Sequence, residues 1–341
     1  MINQKLMLIG HRIALALPTL FGVIVVAFIL TRSLPGDPAV YFAGITANEE
    51  SIAEVRAKLG LDQSLIVQFF SYCRNLMQGE LGLSLNTGQT VVYEIQNRFP
   101  ASMELTLAGL SLALIVAIPL GIVAAMHPNS WIDHTCRIFV TGGASTPIFF
   151  SGLFLLFVFY YLLGWAPSPI GRLDFLYSPP PMVTGFYTID SLIAGDMETF
   201  VAAIKQMILP AVTLAMFALA PIARMTRSAM LTALGSEYVK AATANGLSSN
   251  KIVYVYALRN AALPLLTIMG LVFAYLLGAN VLVEKVFSWP GIGSFAVDAL
   301  IASDFAAVQG FILTMALLFV TLNLVIDILY TLVDPRMAED D

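Results

Sequence analysis

Few side chains in this chain are placed to do chemistry. His11, His127 and His134 are its only histidines, and Cys73 and Cys136 its only cysteines. They form no metal-binding pattern, and neither H-E-x-x-H nor C-x-x-C occurs, so a metal site has no signature. The two cysteines lie in different surroundings, which argues against a disulfide. G-x-S-x-G is absent, which removes one hydrolase nucleophile. The dipeptide Gly-Lys never appears, so no G-x-x-x-x-G-K-[ST] loop can cradle a nucleotide's phosphates. No catalytic residue and no cofactor site follow from the sequence. Glu104, Arg224 and Asp327 remain, in or beside long apolar runs. An ionisable group at membrane depth is a functional candidate by default. All three fall near the ends of their runs, where snorkelling or helix pairing explains them. A proton-driven carrier needs an acid nearer the midplane.

The elements that hold these residues follow from the composition. Of 341 residues, 58% are hydrophobic and 11% charged. A soluble domain carries about 25% charged residues to cover its surface. Mean hydropathy is +0.84, so most of the surface faces lipid. The net charge of −5 makes nucleic acid a poor partner. Six stretches of 18 or more residues contain no charge: between Arg12 and Arg32, Glu104 and Asp133, Arg137 and Arg172, Lys205 and Arg224, Arg259 and Glu284, and Asp304 and Asp327. A helix needs about 20 apolar residues to cross a bilayer, and barrel strands alternate polar with apolar. These runs therefore predict an all-α membrane protein with spans near 11–31, 103–126, 138–163, 207–226, 263–283 and 307–331. The charge-free run 175–189 contains Pro179, Pro180 and Pro181 and is no seventh helix. The first span reads as retained, since no small-x-small cleavage site follows it.

Orientation follows from Lys and Arg in short loops. Segment 224–262 carries five basic residues against one acid, Glu237, and should be cytoplasmic. Segments 164–206 and 284–306 are more acidic than basic and should be outside. Both termini are then cytoplasmic. The chain divides into residues 1–31 with the first span, an extracytoplasmic loop 32–100, and a five-helix core 101–341 holding the loop 224–262. In the outer loop, Asn48 can cap a helix with Glu49 and Glu50 in its first turn, ended by Gly60. A second apolar stripe runs from Leu65 to Met77. These faces can pack on the spans, the membrane surface or a partner. Segment 164–206, rich in Pro and Gly, reads as an irregular outer lid. No internal repeat is visible, so the inverted-repeat signature of many secondary transporters is missing.

The cytoplasmic loop is the most informative segment. Residues 235–251 read as helix, break, helix. Ser236 can cap the first helix, and Ser248 or Ser249 the second. Ala241 and Ala242 are small enough to let another surface approach. Gly246 suits a left-handed residue after a helix end, and Pro264 suits the first turn of the fifth span. A short helix across the inner face is a knob that fits a groove in a soluble partner. An ordinary loop helix with no partner is the other reading.

The pattern Glu237, Ala241–Ala242 and Gly246, ending in Leu263–Pro264, resembles the coupling loop (the "EAA" motif) of binding-protein-dependent ABC importer permeases. Its wider Glu-to-Ala spacing is that of the peptide-importer branch. Further matches are Leu34-Pro35-Gly36-Asp37-Pro38, Leu59-Gly60-Leu61-Asp62, Gly79-Glu80-Leu81-Gly82-Leu83-Ser84, Ala257-Leu258-Arg259-Asn260-Ala261, Phe287-Ser288-Trp289-Pro290-Gly291-Ile292-Gly293 and Leu332-Val333-Asp334-Pro335-Arg336. The set resembles the dipeptide/oligopeptide/nickel permease family end to end, and most closely its dipeptide B-type subunits.

The resemblance implies a six-span, type I ABC importer permease fold in the bacterial inner membrane. It implies a second homologous permease, two ABC ATPases that bind the ATP and Mg, and an extracytoplasmic peptide-binding protein. ATPase coupling would fall on Glu237, Tyr238, Ala241, Ala242, Asn245, Gly246 and Leu247. An outer gate would fall on Trp289, Pro290 and Gly291, for which simple anchoring is the plainer reading. Gly270, Ala274 and Gly278, at four-residue steps, suit close helix packing against the partner permease, along the path or within the chain. Importers of nickel chelates, haem or glutathione in the same family, and a stand-alone secondary transporter, are the alternatives.

Overall fold

A computed structural model describes residues 2–33, 38–43, 47–58 and 60–333, without the side chains of 2–16, 38, 41, 42, 144, 327 and 329–333. His11, Leu34–Asp37, Leu59, the side chain of Asp327 and Asp334–Arg336 therefore lie outside the described residues. Among the described residues the regular elements are helices, with one isolated β-bridge between Leu83 and Thr90. They are α1 (Ile2–Ser33), α2 (Pro38–Ala43), α3 (Glu49–Lys58), α4 (Leu65–Met77), α5 (Val91–Met126), α6 (Trp131–Ala144), α7 (Ile148–Leu155), α8 (Tyr187–Ala194), α9 (Met197–Leu234), α10 (Glu237–Ala244), α11 (Ser249–Lys251), α12 (Leu258–Val286), α13 (Ile292–Ile301) and α14 (Phe305–Val333). Wider π-helical turns extend α7 through Leu156–Leu162 and join α11 to α12 through Ile252–Ala257.

The core is the seam between α5 and α9. It is built from small residues such as Ala113, Ala117, Ala211, Ala215 and Ala218, all buried. Gly109 and Gly121 bring the two backbones together: a Cβ on Gly109 would sit 2.7 Å from Leu214, and one on Gly121 2.6 Å from Thr226. Lipid offers no hydrophobic drive for helices to associate, so close van der Waals contact of this kind holds them. Helix α12 lies against α9 and α5, and α14 against α1 and α12.

The helices are longer than the apolar runs that announce them. Among the described residues four are long and apolar enough to cross a membrane: Val91–Met126, Met197–Leu234, Ser249–Val286 and Phe305–Ile326. Leu17–Ser33 is a shorter apolar helix among the described residues. The third predicted span, 138–163, is not one straight rod. Trp131–Gly143 and Ile148–Leu162 meet at 93°, so the count reaches five by this measure if the pair is one span. Pro147 explains the break, because proline has no N–H to donate and drives Thr146 out of the helical region. Pro264 also departs from expectation. It lies inside α12, which continues upstream through the π-turn, as membrane helices tolerate when neighbours satisfy the backbone.

The outer loop is ordered where described. Asn48 Oδ1 accepts from Ser51 N at 2.8 Å, the predicted cap. Gly60 is left-handed at φ 65°. Helix α4 sets Phe69 5.3 Å edge-on to Phe28 of α1, and Tyr72 stacks on the same ring. On the same helix Leu65, Ile66, Val67, Phe70 and Met77 stay exposed.

Candidate functional site

Helix α10 begins after Gly235 ends α9. Ser236 holds the N-cap position with extended backbone, but its hydroxyl donates to Ala233 O at 2.5 Å and caps nothing in α10. Ser248 likewise makes no side-chain cap bond. The far end closes as the glycine predicts. Gly246 has φ 74°, and Leu247 N donates to Ala242 O at 3.2 Å, with Gly246 N donating to Thr243 O at 3.0 Å. Left-handed closure of this type leaves the last carbonyls satisfied.

The seven predicted coupling residues divide between two faces. Glu237, Tyr238, Ala241, Asn245 and Gly246 are exposed. Ala242 is buried with Val239 and Ile252, and Leu247 packs on that cluster together with Leu234. The small core fixes α10 to the start of the α11–α12 rod, so the exposed face is presented on a packed base. The exposed Glu237–Lys240 pair at 2.8 Å orients a surface and adds little stability.

At the opposite end of α12, the Trp289–Pro290–Gly291 turn is held from inside the bundle. Trp289 is 1% exposed, and its Nε1 donates to Ala101 O of α5 at 3.0 Å. It is a core residue, which excludes the reading of a simple interfacial anchor. Beneath it lies Glu284, also 1% exposed. Its carboxyl group receives Ser102 Oγ, Asn280 Nδ2 at 3.0 Å and the backbone N–H of Ser294 at 2.7 Å. Ser102 Oγ in turn accepts from Ile292 N at 2.9 Å. A Cβ on Gly291 would overlap the Glu284 carboxyl group. One acid thus ties the last turn of α12, the turn itself and the start of α13 to α5.

The predicted outer lid is clamped by a buried ion pair. Arg172 Nη2 donates to Glu104 Oε2 at 2.5 Å and to Gly185 O at 2.8 Å. Thr188 donates to Glu104 Oε1 through both N–H and Oγ1, at 2.8 and 2.6 Å. Both members of the pair are buried, so Glu104 binds a loop to a helix and does not snorkel. Asp190 gathers the turn before α8, accepting from Thr184 N, Thr184 Oγ1, Val183 N and Gly185 N. Burial pushes its carboxyl upward, but those hydrogen bonds outweigh it and hold it below the usual carboxylate range.

The three small residues of α12 also divide. A Cβ on Gly270 would overlap Ile326 of α14, so Gly270 serves packing within the chain. Ala274 is half-buried, and Gly278 is exposed with no described atom within 4 Å of an ideal Cβ. Charge counting missed Glu284 and Asp133, since both are boundaries of apolar runs. Asp133 is fully buried and receives Arg227 Nε and Nη2 at 2.8 and 2.7 Å, joining α6 to α9. Among the described residues no cluster of His, Cys, Asp and Glu is suited to a metal ion, and both cysteines are free.

A bundle of long apolar helices, with its few interior charges spent on fastening helices and loops, is a multi-pass membrane protein. The chain belongs to the binding-protein-dependent transport system inner membrane component family, whose model matches residues 117–339; the companion model for the N-terminal part matches residues 5–106. It is 45% identical to the probable D,D-dipeptide transport system permease protein DdpB of Escherichia coli K12, over 93% of each chain. It is 44% identical to the di/tripeptide transport system permease protein DppB of Pseudomonas aeruginosa UCBPP-PA14, over 96% of this chain and 98% of that protein. The dipeptide transport system permease protein DppB of E. coli K12 is 39% identical, over 97% and 98%.

Proposed function

We propose that the chain is the permease subunit of an ATP-driven importer and forms half of the translocation pathway for dipeptides or oligopeptides. The near end-to-end likeness to permeases of di- and tripeptide systems supports this cargo class. Energy reaches the chain from outside it, through two ATPase subunits that bind ATP and Mg. A second, homologous permease completes the path, and an extracytoplasmic binding protein delivers the peptide. The basic segment 224–262 faces the cytoplasm, as do both termini.

The observation that carries the coupling role is the two-faced α10. Glu237, Tyr238 and Ala241 project outward, while Val239 and Ala242 bury into Ile252 at the start of the α12 rod. A groove on the ATPase that grips the outer face moves the rod with it. Alternating access needs such an element, whose two positions nucleotide and substrate both bias. The outer gate in this reading is Trp289, Pro290 and Gly291, a turn that Glu284 and Ser102 fasten to α5.

Gly246→Val tests the reading. No described atom lies within 4 Å of an added Cβ, so the cost is backbone alone, about 1–2 kcal/mol for a left-handed β-branched residue. The expected result is lost uptake of labelled dipeptide and lost stimulation of ATP hydrolysis, with the complex still assembled. Normal uptake by the variant at normal expression overturns the coupling role.

A further inference from the structure

Helices α5, α6 and α9 leave a groove of about 250 Å³ between them, and its walls are mostly apolar: Leu120, Ala124, Val140 and Ala223. Three guanidinium groups stand at it, those of Arg137, Arg224 and Arg227. Among the described residues the carboxylate that pairs with them is Asp133, and Arg227 takes it with two hydrogen bonds. Arg137 approaches Asp133 only at 3.5 Å with half its side chain exposed, and also meets His134 Nδ1. Arg224 is exposed, and its one described hydrogen bond runs from Nε to the carbonyl of Ala220. Three arginines sharing one acid leave an excess of two positive charges beside an apolar cleft. Neighbouring Trp131, Ile138 and Phe139 are each more than half exposed on α6. An exposed tryptophan beside large aliphatic and aromatic residues marks the headgroup level of a lipid-facing surface.

We infer that this groove seats an anionic phospholipid, its phosphate against Arg137 and Arg224 and an acyl chain along Leu120, Ala124 and Val140. The charge excess selects the headgroup, because basic pockets between membrane helices attract anionic lipid. The apolar walls select a lipid over free phosphate, which has nothing to bury there. Asp133 fixes Arg227 as part of the wall, so the two remaining arginines do the selecting. The seated lipid fills the space beside the α5–α9 seam at the inner end of the bundle.

Native mass spectrometry of the purified full chain, with the subunits that copurify, tests this by titrating phosphatidylglycerol against phosphatidylcholine. Wild type should retain phosphatidylglycerol in preference to phosphatidylcholine. Removing each basic group should weaken that binding about fivefold, so Arg137→Gln with Arg224→Gln should weaken it roughly 25-fold. Phosphatidylcholine binding should not change, and the Arg137→Lys, Arg224→Lys pair should keep most of the preference. Arg74→Gln, on the outer helix α4, should have no effect. Equal binding of the two lipids by wild type, or full retention by the glutamine pair, overturns the site. Displacement of the lipid by inorganic phosphate makes it a phosphate site and overturns the lipid assignment. Loss of preference in the lysine pair as well makes the effect one of folding and overturns the charge argument.

Discussion

Gly291→Ala is the sharpest probe of the Glu284 fastening. Gly291 has φ −93° and ψ 177°, a backbone any residue adopts, so alanine carries no conformational penalty there. The effect is steric and local: the new methyl overlaps the Glu284 carboxyl group. A surface glutamate would swing aside. This one is held by Ser102 Oγ, by Asn280 Nδ2 and by Ser294 N, so moving it takes the acceptor from the Ser102 hydroxyl and the part-buried Ser294 N–H, while Asn280 Nδ2 keeps Ser102 O and Thr106 Oγ1. Each of these two lost bonds costs about 1–3 kcal/mol, which places the loss at about 2–6 kcal/mol. It should appear locally, because Trp289 meets Ala101 O through the turn that the displaced acid releases. Hydrogen exchange in residues 287–294 should rise, and Trp289 fluorescence should shift toward a wetter environment, before the bundle unfolds. Glu284→Asp withdraws the carboxyl group by one methylene and should partly rescue Gly291→Ala, giving a non-additive double-mutant cycle. Wild-type protection and fluorescence in Gly291→Ala, or strict additivity with Glu284→Asp, would refute the fastening.

Two further outcomes follow from the same geometry. Arg172→Ala leaves Glu104 buried without its cation and should cost about 3–5 kcal/mol; proteolytic cutting between residues 163 and 186 should accelerate, and unchanged cutting counts against the clamp. Gly270→Leu should disrupt the α12–α14 contact at Ile326 and lower thermal stability, whereas Gly278→Leu should leave stability unchanged, because only the first position is filled within the chain. If Gly278→Leu instead prevents assembly with a partner permease, that face of α12 is the interface between subunits.

Local features were legible in the sequence and long-range ones were not. Asn48, Gly60 and Gly246 act on atoms a few residues away, so residue type alone locates the cap and the two left-handed turns. Ser236 shows the limit of that method: its hydroxyl had two local partners, and Ala233 O won. The spans were visible as charge-free runs, but their ends were not. Helix α5 continues past its first charge because Glu104 finds a partner inside the protein, and α9 runs on past Arg224 to Arg227, which pairs with Asp133. The same rule hid Glu284 and Asp133, since counting charges makes every acid a boundary and never an interior residue. Glu284 has its partner Ser102 182 positions away, a separation no spacing argument reaches. The break at Pro147 had a local signal, Ser145–Thr146–Pro147, which the length of the apolar run outweighed.

The proposed coupling helix α10 and the proposed outer gate are joined by one element. From Ser249 to Val286 the chain is a continuous helical rod of 38 residues, about 57 Å long. Ile252, near one end, is packed into α10; Glu284, near the other, is fastened to α5. Val253, Ala257, Ala261 and Leu265 also pack with Ile122 and Ala125 of α5 and Met230 and Ala233 of α9. A push on α10 therefore reaches α12, α5 and α9 together, and a rigid-body tilt of these three is the motion their packing permits. Bending is favoured at the π-turn Ile252–Ala257, where the regular hydrogen-bond ladder already departs from α-helical spacing. Because Glu284 and Ser102 both belong to the moving helices, their bond need not break when the body tilts. What must yield is a contact between this three-helix body and something outside it, either α14 with α1 or, in the proposed importer, a second permease, and Gly278, with no described atom within 4 Å of an added Cβ, lies on a face of α12 that such a partner would meet.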